Sequence, residues 1–279
     1  MEGIEHRMIS ANGLNIHIAE KGQGPLVLFL HGFPKLWYSW RHQIHFMASH
    51  GYHAVAPDLR GYGDTTGAPV DDPSKFSILH IVGDIVALLD VIAPNEKVFV
   101  VAHDWGAHVA WDLNLFRPDK VKALVALSVY YIPRNPSGSV VDLIKAFYGE
   151  DHYAIRFQKP GDMEDEIANN FGTKTFLKKF MSHRETAPFF IPKGTRYDGD
   201  SPLPSWLAEE DLDYYTTKYE KTGFTGPMNY YRAWGLTWEL TAPWTGAQEV
   251  VVMKGAGHFI NEEKPDDVNK HILGFLQQF

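Results

Sequence analysis

Four short apolar runs rich in Val and Leu alternate with segments of helical spacing in the first half of the chain. The runs are PLVLFL (25–30), HAVAPD (53–58), KVFVVA (97–102) and VKALVALSV (121–129). Between the second and third runs, apolar residues recur with the period of an α-helix at Ile78, Ile81, Val82, Ile85 and Leu88. This order of elements predicts an α/β fold, with a mostly parallel sheet covered by helices on both faces.

After about residue 130 the Val-rich runs give way to Tyr, Trp, Pro and charged residues. Four segments there have amphipathic helical spacing: SVVDLIKAFYG, MEDEIANNFG, TKTFLKKFMSH and WLAEEDLDYYTTKYEKTG. EVVVMKG (249–255) then predicts a last strand, and PDDVNKHILGFLQQF (265–279) a last helix that begins at Pro265. We therefore divide the chain into a first core part (1–130), a helical insertion (131–245) and a second core part (246–279).

Charge and composition exclude several classes of protein. The net charge is −8 and the Lys and Arg residues are scattered, so there is no basic stripe for nucleic acid. The absence of cysteine excludes disulfides, thiolate catalysis and cysteine-ligated metal. No apolar run is long enough to span a bilayer, and the N-terminal MEGIEHRMIS lacks the apolar core of a signal peptide. We therefore expect a soluble cytoplasmic protein, whose oligomeric state stays open.

The third apolar run ends at Asp104, in VVAHDWGAHVAW (100–111), where a strand should give way to a helix. A nucleophile held between a strand, a tight turn and a helix needs small neighbours, because two backbone segments pass closely there. Ala102 and Gly106 meet that requirement. Asp is also a favoured helix N-cap, so the turn alone leaves two interpretations open, a catalytic nucleophile or a cap.

Two further turns favour the nucleophile. HGFP (31–34) follows the first strong strand, so the backbone N–H groups of Phe33 and Trp105 are expected to converge beside Asp104 as donors to developing negative charge. His258, in KGAGHF (254–259), follows a late strand and is expected at the same edge of the sheet. Each has a plainer interpretation, a strand-to-loop turn for HGFP and a structural or solvated side chain for His258.

Together these motifs resemble the soluble epoxide hydrolases of plants, within the α/β-hydrolase family, over nearly the whole chain. In the core the resemblance rests on HGFPKLWYSWRHQ, APDLRGYGDT, VVAHDWGAHVAW and FRPDKVKALVALSV, and in the insertion on GEDHYAIRFQKPG, TGFTGPMNYYRAW and WELTAPWTGAQ. It implies the α/β-hydrolase fold with the insertion as a helical cap. It also implies a hydrolase that needs no cofactor or metal and takes an epoxide and water as its small-molecule partners.

The same resemblance assigns the site residues. Asp104 would attack an epoxide carbon to give an alkyl–enzyme ester, a reaction that suits a carboxylate already ionised at neutral pH. Tyr153 and Tyr231 of the cap would donate hydrogen bonds to the epoxide oxygen, although tyrosines in so aromatic a segment could simply pack. His258 would then activate the water that hydrolyses the ester, while the two backbone N–H groups stabilise the oxyanion.

The acid that holds the histidine in this family has no counterpart here. In the family it follows a strand between the cap and the histidine strand, whereas TAPWTGAQ (241–248) runs directly into EVVVMKGAGH (249–258). We therefore assign no acid and expect the fold to lack one late strand; Glu262 and Glu263 are expected to face solvent. If the last strand moved into the vacant position, His258 would shift by about 4.8 Å, beyond hydrogen-bond reach. If the strand kept its family position, the vacant lane would leave unpaired backbone groups on two strands, so in either case we expect impaired turnover.

Lys35 is a second departure, because the family commonly has Glu at this position. A cation there should make the site more positive and favour alkylation of Asp104 over hydrolysis of the ester.

Two other functions stay open. A haloalkane dehalogenase also uses an Asp-Trp elbow, but Phe33 stands where that class typically has a halide-binding Asn. The absent acid segment suggests instead a catalytically impaired, shortened form that binds epoxides or is trapped by them. The fate of a covalent adduct on Asp104 would separate these functions.

Overall fold

A six-stranded sheet, in the order β1-β2-β4-β3-β5-β6, organises the first of the two units into which the chain divides. The computed structural model describes residues 2–183, 189–196, 202–244 and 257–277. The strands are β1 (Glu5–Ala11), β2 (Leu14–Lys21), β3 (Leu26–Leu30), β4 (His53–Pro57), β5 (Val98–His103) and β6 (Val121–Leu127). β3 pairs in parallel with β4 and β5, and β5 with β6, so the predicted mostly parallel sheet is confirmed.

An antiparallel hairpin of β1 and β2 precedes the parallel strands, and the apolar pattern does not predict it. Asn12 and Gly13 form its two-residue turn with φ angles of 49° and 76°, which a primed hairpin turn requires. β2 then pairs antiparallel with β4. Because β1 is largely exposed it carries few apolar residues, and the Asn-Gly pair is the signal that could have revealed the hairpin.

The helices of this unit in the described residues are α1 (Arg41–Ser49), α2 (Ile78–Ile92), α3 (Trp105–Phe116), α11 (Ile260–Glu263) and α12 (Pro265–Leu276). The predicted helices over 76–93 and 265–279 are thus confirmed as α2 and α12, and Pro265 is the first residue of α12. All five apolar residues that define the period of α2 are buried, so this face packs into the core.

The central strands bring the site residues to one edge of the sheet. Every residue of β3 and of β5 is buried, as expected for strands covered on both faces. His31 directly follows β3 and Asp104 directly follows β5. Since these strands are parallel, the two positions lie side by side at the carboxyl edge, where ligands bind in open α/β sheets.

The second unit contains Pro69–Ser77 and the described residues between 133 and 244. Its helices are α4 (Val140–Tyr148), α5 (Tyr153–Arg156), α6 (Asp162–Glu166), α7 (Thr173–Ser182), α8 (Glu209–Thr222), α9 (Thr225–Arg232) and α10 (Trp234–Leu240). The four predicted amphipathic helices correspond to α4, α6, α7 and α8, and a π-helical turn follows α6 over Ile167–Phe171. Residues 69–77 group with this unit, whereas the sequence division placed them in the first core part.

The predicted last strand, EVVVMKG (249–255), lies outside the described residues. Among the helices that are described, none has the length and apolar character that a membrane span requires.

Candidate active site

Asp104 occupies a sharp turn between β5 and α3. Its φ of 54° and ψ of −123° place a non-glycine residue at positive φ, a conformation that costs about 1–3 kcal/mol and clusters at functional sites. Asp104 is the N-cap residue of α3 by position, yet its side chain makes no capping hydrogen bond. The carboxylate therefore does not accept from the second or third N–H group of α3, as the side chain of a helix cap would, and the cap interpretation fails.

Glycine is required on both sides of this carboxylate. A Cβ on Gly106 would lie 2.2 Å from the carbonyl oxygen of Leu30, so α3 can approach β3 only with glycine there. A Cβ on Gly32 would lie 2.2 Å from Oδ1 of Asp104. The small-residue pattern thus follows from close approach of two backbone segments to the carboxylate.

We expect Gly106→Ala to destabilise the protein by about 1–3 kcal/mol, because the added methyl group must displace the backbone of β3. Urea unfolding measures the change. Gly274→Ala in α12 is the matched control, since a Cβ there meets nothing within 4 Å, and it should leave stability unchanged or raise it by up to about 1 kcal/mol. Equal losses for the two variants would contradict the close approach.

Two backbone N–H groups donate to the Asp104 carboxylate, as predicted. The N–H of Phe33 lies 2.7 Å from Oδ1, and the N–H of Trp105 also hydrogen-bonds this side chain. The Asp104 side chain is 13% exposed, so these donors act where water screens little. The arrangement can stabilise a negative charge on the carboxyl group of Asp104.

His258 completes the contacts of this carboxylate within the described residues. Its Nε2 lies 3.2 Å from Oδ2 of Asp104, while its side chain is 39% exposed. The shift of His258 beyond hydrogen-bond reach, expected if the last strand moved into the vacant position, is therefore not found.

The environment of Asp104 keeps it ionised. Burial alone would raise the pKa of the Asp104 carboxyl, but the hydrogen bond from His258, the charge of that imidazole and the Trp105 N–H outweigh burial. The net effect holds the pKa of Asp104 below its ordinary value. The carboxylate is thus available as a nucleophile at neutral pH without a base to activate it.

Two residues of the site were missed in the sequence. Nε2 of His103 donates to the backbone oxygen of His258 at 2.6 Å, and Oγ of Ser128 donates to the same oxygen at 2.6 Å. Burial, with the nearby His258, lowers the pKa of His103 to about 3, so its imidazole is neutral and carries its proton on Nε2. His103 ends β5 and Ser128 follows β6, so their positions at the carboxyl ends of neighbouring strands were the available signal.

No carboxylate of the described residues contacts Nδ1 of His258, which leaves the acid position without an occupant there. The prediction that Glu262 faces solvent is nevertheless wrong. Its side chain is fully buried and pairs with Lys35 and with Arg41, whose Nη1 lies 2.9 Å from Oε1. Lys35 is therefore paired with a carboxylate, but its charge still contributes to lowering the pKa of His103, and its predicted effect on the site stays a prediction. Glu263 is partly buried, and its Oε2 accepts from the Gly257 N–H at 2.9 Å.

Tyr153 and Tyr231 lie together in the second unit. Tyr153 begins α5 and Tyr231 lies in α9, and their rings meet edge to face with centroids 5.8 Å apart. The neighbouring Tyr230 packs instead on Phe76, with ring centroids 5.8 Å apart. Consecutive tyrosines of α9 thus have different neighbours, as their separation of about 100° around a helix predicts.

One group of described residues, His17, Asp58 and Asp64, has the spacing of metal ligands. Nδ1 of His17 lies 2.8 Å from Oδ2 of Asp58, which also accepts from the Asp64 N–H at 3.1 Å. The His17 and Asp58 side chains thus contact each other, and Asp58 also holds the loop after β4 through the Asp64 N–H.

Comparison with known proteins agrees with this geometry. Residues 27–271 match the model of the alpha/beta hydrolase family, and the chain belongs to that family. It is 47% identical to epoxide hydrolase 2 of Siraitia grosvenorii, with all of both chains covered. It is 34% identical to epoxide hydrolase A of Mycobacterium tuberculosis, over 97% of this chain and 96% of that one. The structure of potato (Solanum tuberosum) epoxide hydrolase I matches at a TM-score of 0.94 and 55% identity, covering 99% of this chain and all of that one.

The resemblance stated from the sequence and the predicted α/β-hydrolase fold are both confirmed by these matches. The alignment with the Siraitia grosvenorii protein runs over 320 positions, 41 more than the 279 residues of this chain. That difference is large enough for a strand, an acid loop and a crossover helix, which need about 30 residues or more.

Proposed function

We propose that this protein opens epoxides through an alkyl–enzyme ester on Asp104 and hydrolyses that ester to a vicinal diol. The observation that carries the proposal is the Asp104 carboxylate itself. The backbone of Asp104 is held at positive φ. The Phe33 N–H donates to its Oδ1 at 2.7 Å, and its Oδ2 lies 3.2 Å from Nε2 of His258. The relatives named above as epoxide hydrolases supply the substrate class.

In the first step the two carboxylate oxygens have different roles. The Phe33 N–H binds Oδ1, which favours that oxygen as the future ester carbonyl and leaves Oδ2 to attack an epoxide carbon. The carbon–oxygen bond of the ring breaks, and its electron pair goes to the epoxide oxygen. Tyr153 and Tyr231 are proposed to donate hydrogen bonds to that oxygen, and one of them supplies the proton.

In the second step His258 is proposed to take a proton from water, which attacks the ester carbonyl. The N–H groups of Phe33 and Trp105 then stabilise the oxyanion on that carbonyl. Collapse of the tetrahedral intermediate breaks the bond between the Asp104 carboxyl carbon and the alkyl oxygen, and the leaving alkoxide takes the proton from His258 to give the diol. The proton of the new carboxyl group returns to the tyrosine that gave one up, which regenerates Asp104 as a carboxylate. No cofactor or metal enters this sequence, and water is the second substrate.

Hydrolysis of the ester is proposed to be the slower step. In a serine triad, loss of the function of the acid behind the histidine costs on the order of 10⁴ in rate, or about 5.4 kcal/mol. The first step does not need that acid, because Asp104 is already ionised. The alkyl–enzyme should therefore accumulate before diol appears.

Intact-mass spectrometry with an aryl epoxide tests the proposal. We expect the protein to gain the mass of one epoxide, on the peptide that contains Asp104, and to lose it again as diol forms. A protein that stays unmodified and forms no diol would refute the proposal. Release of halide from a bromoalkane would favour the dehalogenase alternative, and a permanent adduct without diol would favour the trapped form.

We also propose a cytoplasmic location for this protein.

A further inference from the structure

A buried ion pair lies beside the candidate site and takes no part in the steps above. The Lys35 side chain is 1% exposed and the Glu262 side chain 0%, and the ammonium contacts Oε2 of the carboxylate. Arg41 binds the other oxygen, with Nη1 2.9 Å from Oε1. We call the first two residues the Lys35–Glu262 pair.

The pair joins the two segments that meet at Asp104. Lys35 closes a tight turn in which its N–H donates to the Gly32 carbonyl oxygen at 2.8 Å. The middle of that turn is Phe33, whose N–H binds Asp104. Glu262 lies one helical turn beyond His258, in α11. One ion pair therefore links the segment that carries an oxyanion donor to the segment that carries the histidine.

The segment 258–262 is fixed along most of its length. At its start, the His258 backbone oxygen accepts from His103 and Ser128, and Lys35 Nζ lies 4.5 Å from the centre of the Phe259 ring. Further along, Gln43 Nε2 donates to the Asn261 backbone oxygen at 3.0 Å, and Asn261 Nδ2 donates to the Ser39 backbone oxygen at 3.1 Å. The ion pairs of Glu262 hold its end. The ring of Phe259 in turn packs against that of His258, with centroids 4.9 Å apart. Lys35 thus holds this segment at two points, through Phe259 and through Glu262.

Stability alone is a weak reason for such a pair. The cost of removing both charges from water offsets most of their attraction, and replacing such a pair by well-packed apolar residues often leaves the stability of a protein unchanged or raises it. An ion pair has a defined geometry, however, and it can fix the relative position of the groups it joins.

We propose that the Lys35–Glu262 pair positions His258 against Asp104. In a catalytic triad a carboxylate at Nδ1 orients the histidine, and since none of the described residues supplies one, the pair takes over this orienting role. Lys35 and Glu262 are then positioning residues that act through the loop and not on the substrate. This inference rests on the proposed function, because its main consequence is for the hydrolysis of the alkyl–enzyme by His258.

Glu262→Gln tests this inference by removing the charge and keeping the shape. Intact-mass spectrometry with an aryl epoxide gives two rate constants, one for the formation of the Asp104 adduct and one for the decay of that adduct. Hydrogen–deuterium exchange is followed on a peptide that covers residues 257–264. Asp84→Asn is the matched control, because Asp84 forms an equally buried pair with Arg60, with Oδ1 2.6 Å from Nη2 and side chains 4% and 5% exposed.

We expect Glu262→Gln to slow adduct decay on the order of 100-fold, the effect of a misplacement of about 1 Å, while adduct formation changes by less than about threefold. Exchange over 257–264 should rise about tenfold or more, with β5 unaffected. Asp84→Asn should lower stability and leave both rate constants as in the parent. If adduct decay and exchange over 257–264 were unchanged in Glu262→Gln, the inference would be wrong.

The double variant Lys35→Met/Glu262→Gln covers the case in which the single variant does not fold. The double variant keeps the summed charge of Lys35, Glu262 and Arg41 unchanged. It should also slow adduct decay and raise hydrogen–deuterium exchange over residues 257–264. Parent-like behaviour of this variant would contradict the inference. A parent protein that forms no adduct would refute the proposed function instead, and the exchange measurement would still decide whether the pair holds the His258 segment.

Discussion

Asp104→Asn should abolish formation of the epoxide adduct, with a loss of at least about 10⁴-fold in the rate constant of alkylation. An amide has no negative charge to attack the ring carbon, whereas the hydrogen bond and the charge of His258, together with the Trp105 N–H, outweigh burial and keep the parent carboxylate ionised. Intact-mass spectrometry after incubation with an aryl epoxide measures the effect. The substitution keeps the size of the side chain, so the elbow should still fold.

Asp112→Asn is the matched control for that experiment. Asp112 lies on α3, two turns beyond the elbow, and its half-buried side chain makes no contact with Asp104 among the described residues. Burial raises the pKa of Asp112 to about 7, so its amide variant should fold at least as well as the parent. This variant should be alkylated at the parental rate. Labelling of Asp104→Asn at the same rate as Asp112→Asn would place the nucleophile elsewhere.

His258→Gln should separate the two steps of the reaction, because His258 is required only to activate water. We expect the alkyl–enzyme to form at a rate within about tenfold of the parent and to persist about 100-fold longer or more, since a general base contributes about 10²–10⁴ to such a step. The decay of the adduct mass after removal of free epoxide measures its lifetime.

His271→Gln serves as the control for this variant, since His271 is an exposed residue of α12. The adduct on His271→Gln should decay as it does on the parent. An adduct on His258→Gln that decayed at the same rate would mean that His258 does not act on the ester, whatever its contact with Asp104.

The adduct lifetimes of the parent and of His258→Gln also measure how well the parent protein hydrolyses the ester. If the adduct on the parent is short-lived, positioning of His258 is sufficient for turnover with no carboxylate of the described residues at Nδ1. If the adduct on the parent lasts as long as that on His258→Gln, the contact at 3.2 Å alone does not make the histidine a base. The pair of lifetimes therefore separates the orienting role that an acid at Nδ1 would have from its electrostatic role.

Local sequence was enough to predict the central strands, α2, α12 and the turn at Asp104. Strands β3 and β5 are continuous apolar runs because both of their faces are buried. Glycine is required at position 106 because the backbone of α3 passes close to that of β3 there. The hairpin of β1 and β2 was missed because an exposed edge needs few apolar residues, and in this case only its Asn-Gly turn marks it.

The sequence by itself was enough to propose Asp104 as the nucleophile, since a tight turn with small neighbours is a property of a few adjacent residues and two further turns favoured this interpretation over a helix cap. Whether His258 reaches Asp104, and whether Glu262 is buried with Lys35, was decided by the tertiary structure. Those contacts join residues that are far apart in the chain, and their energies depend on how completely packing removes water from both partners. A pattern of residue types does not contain that information, and this is why Glu262, which was expected to face solvent, is buried in ion pairs with Lys35 and Arg41.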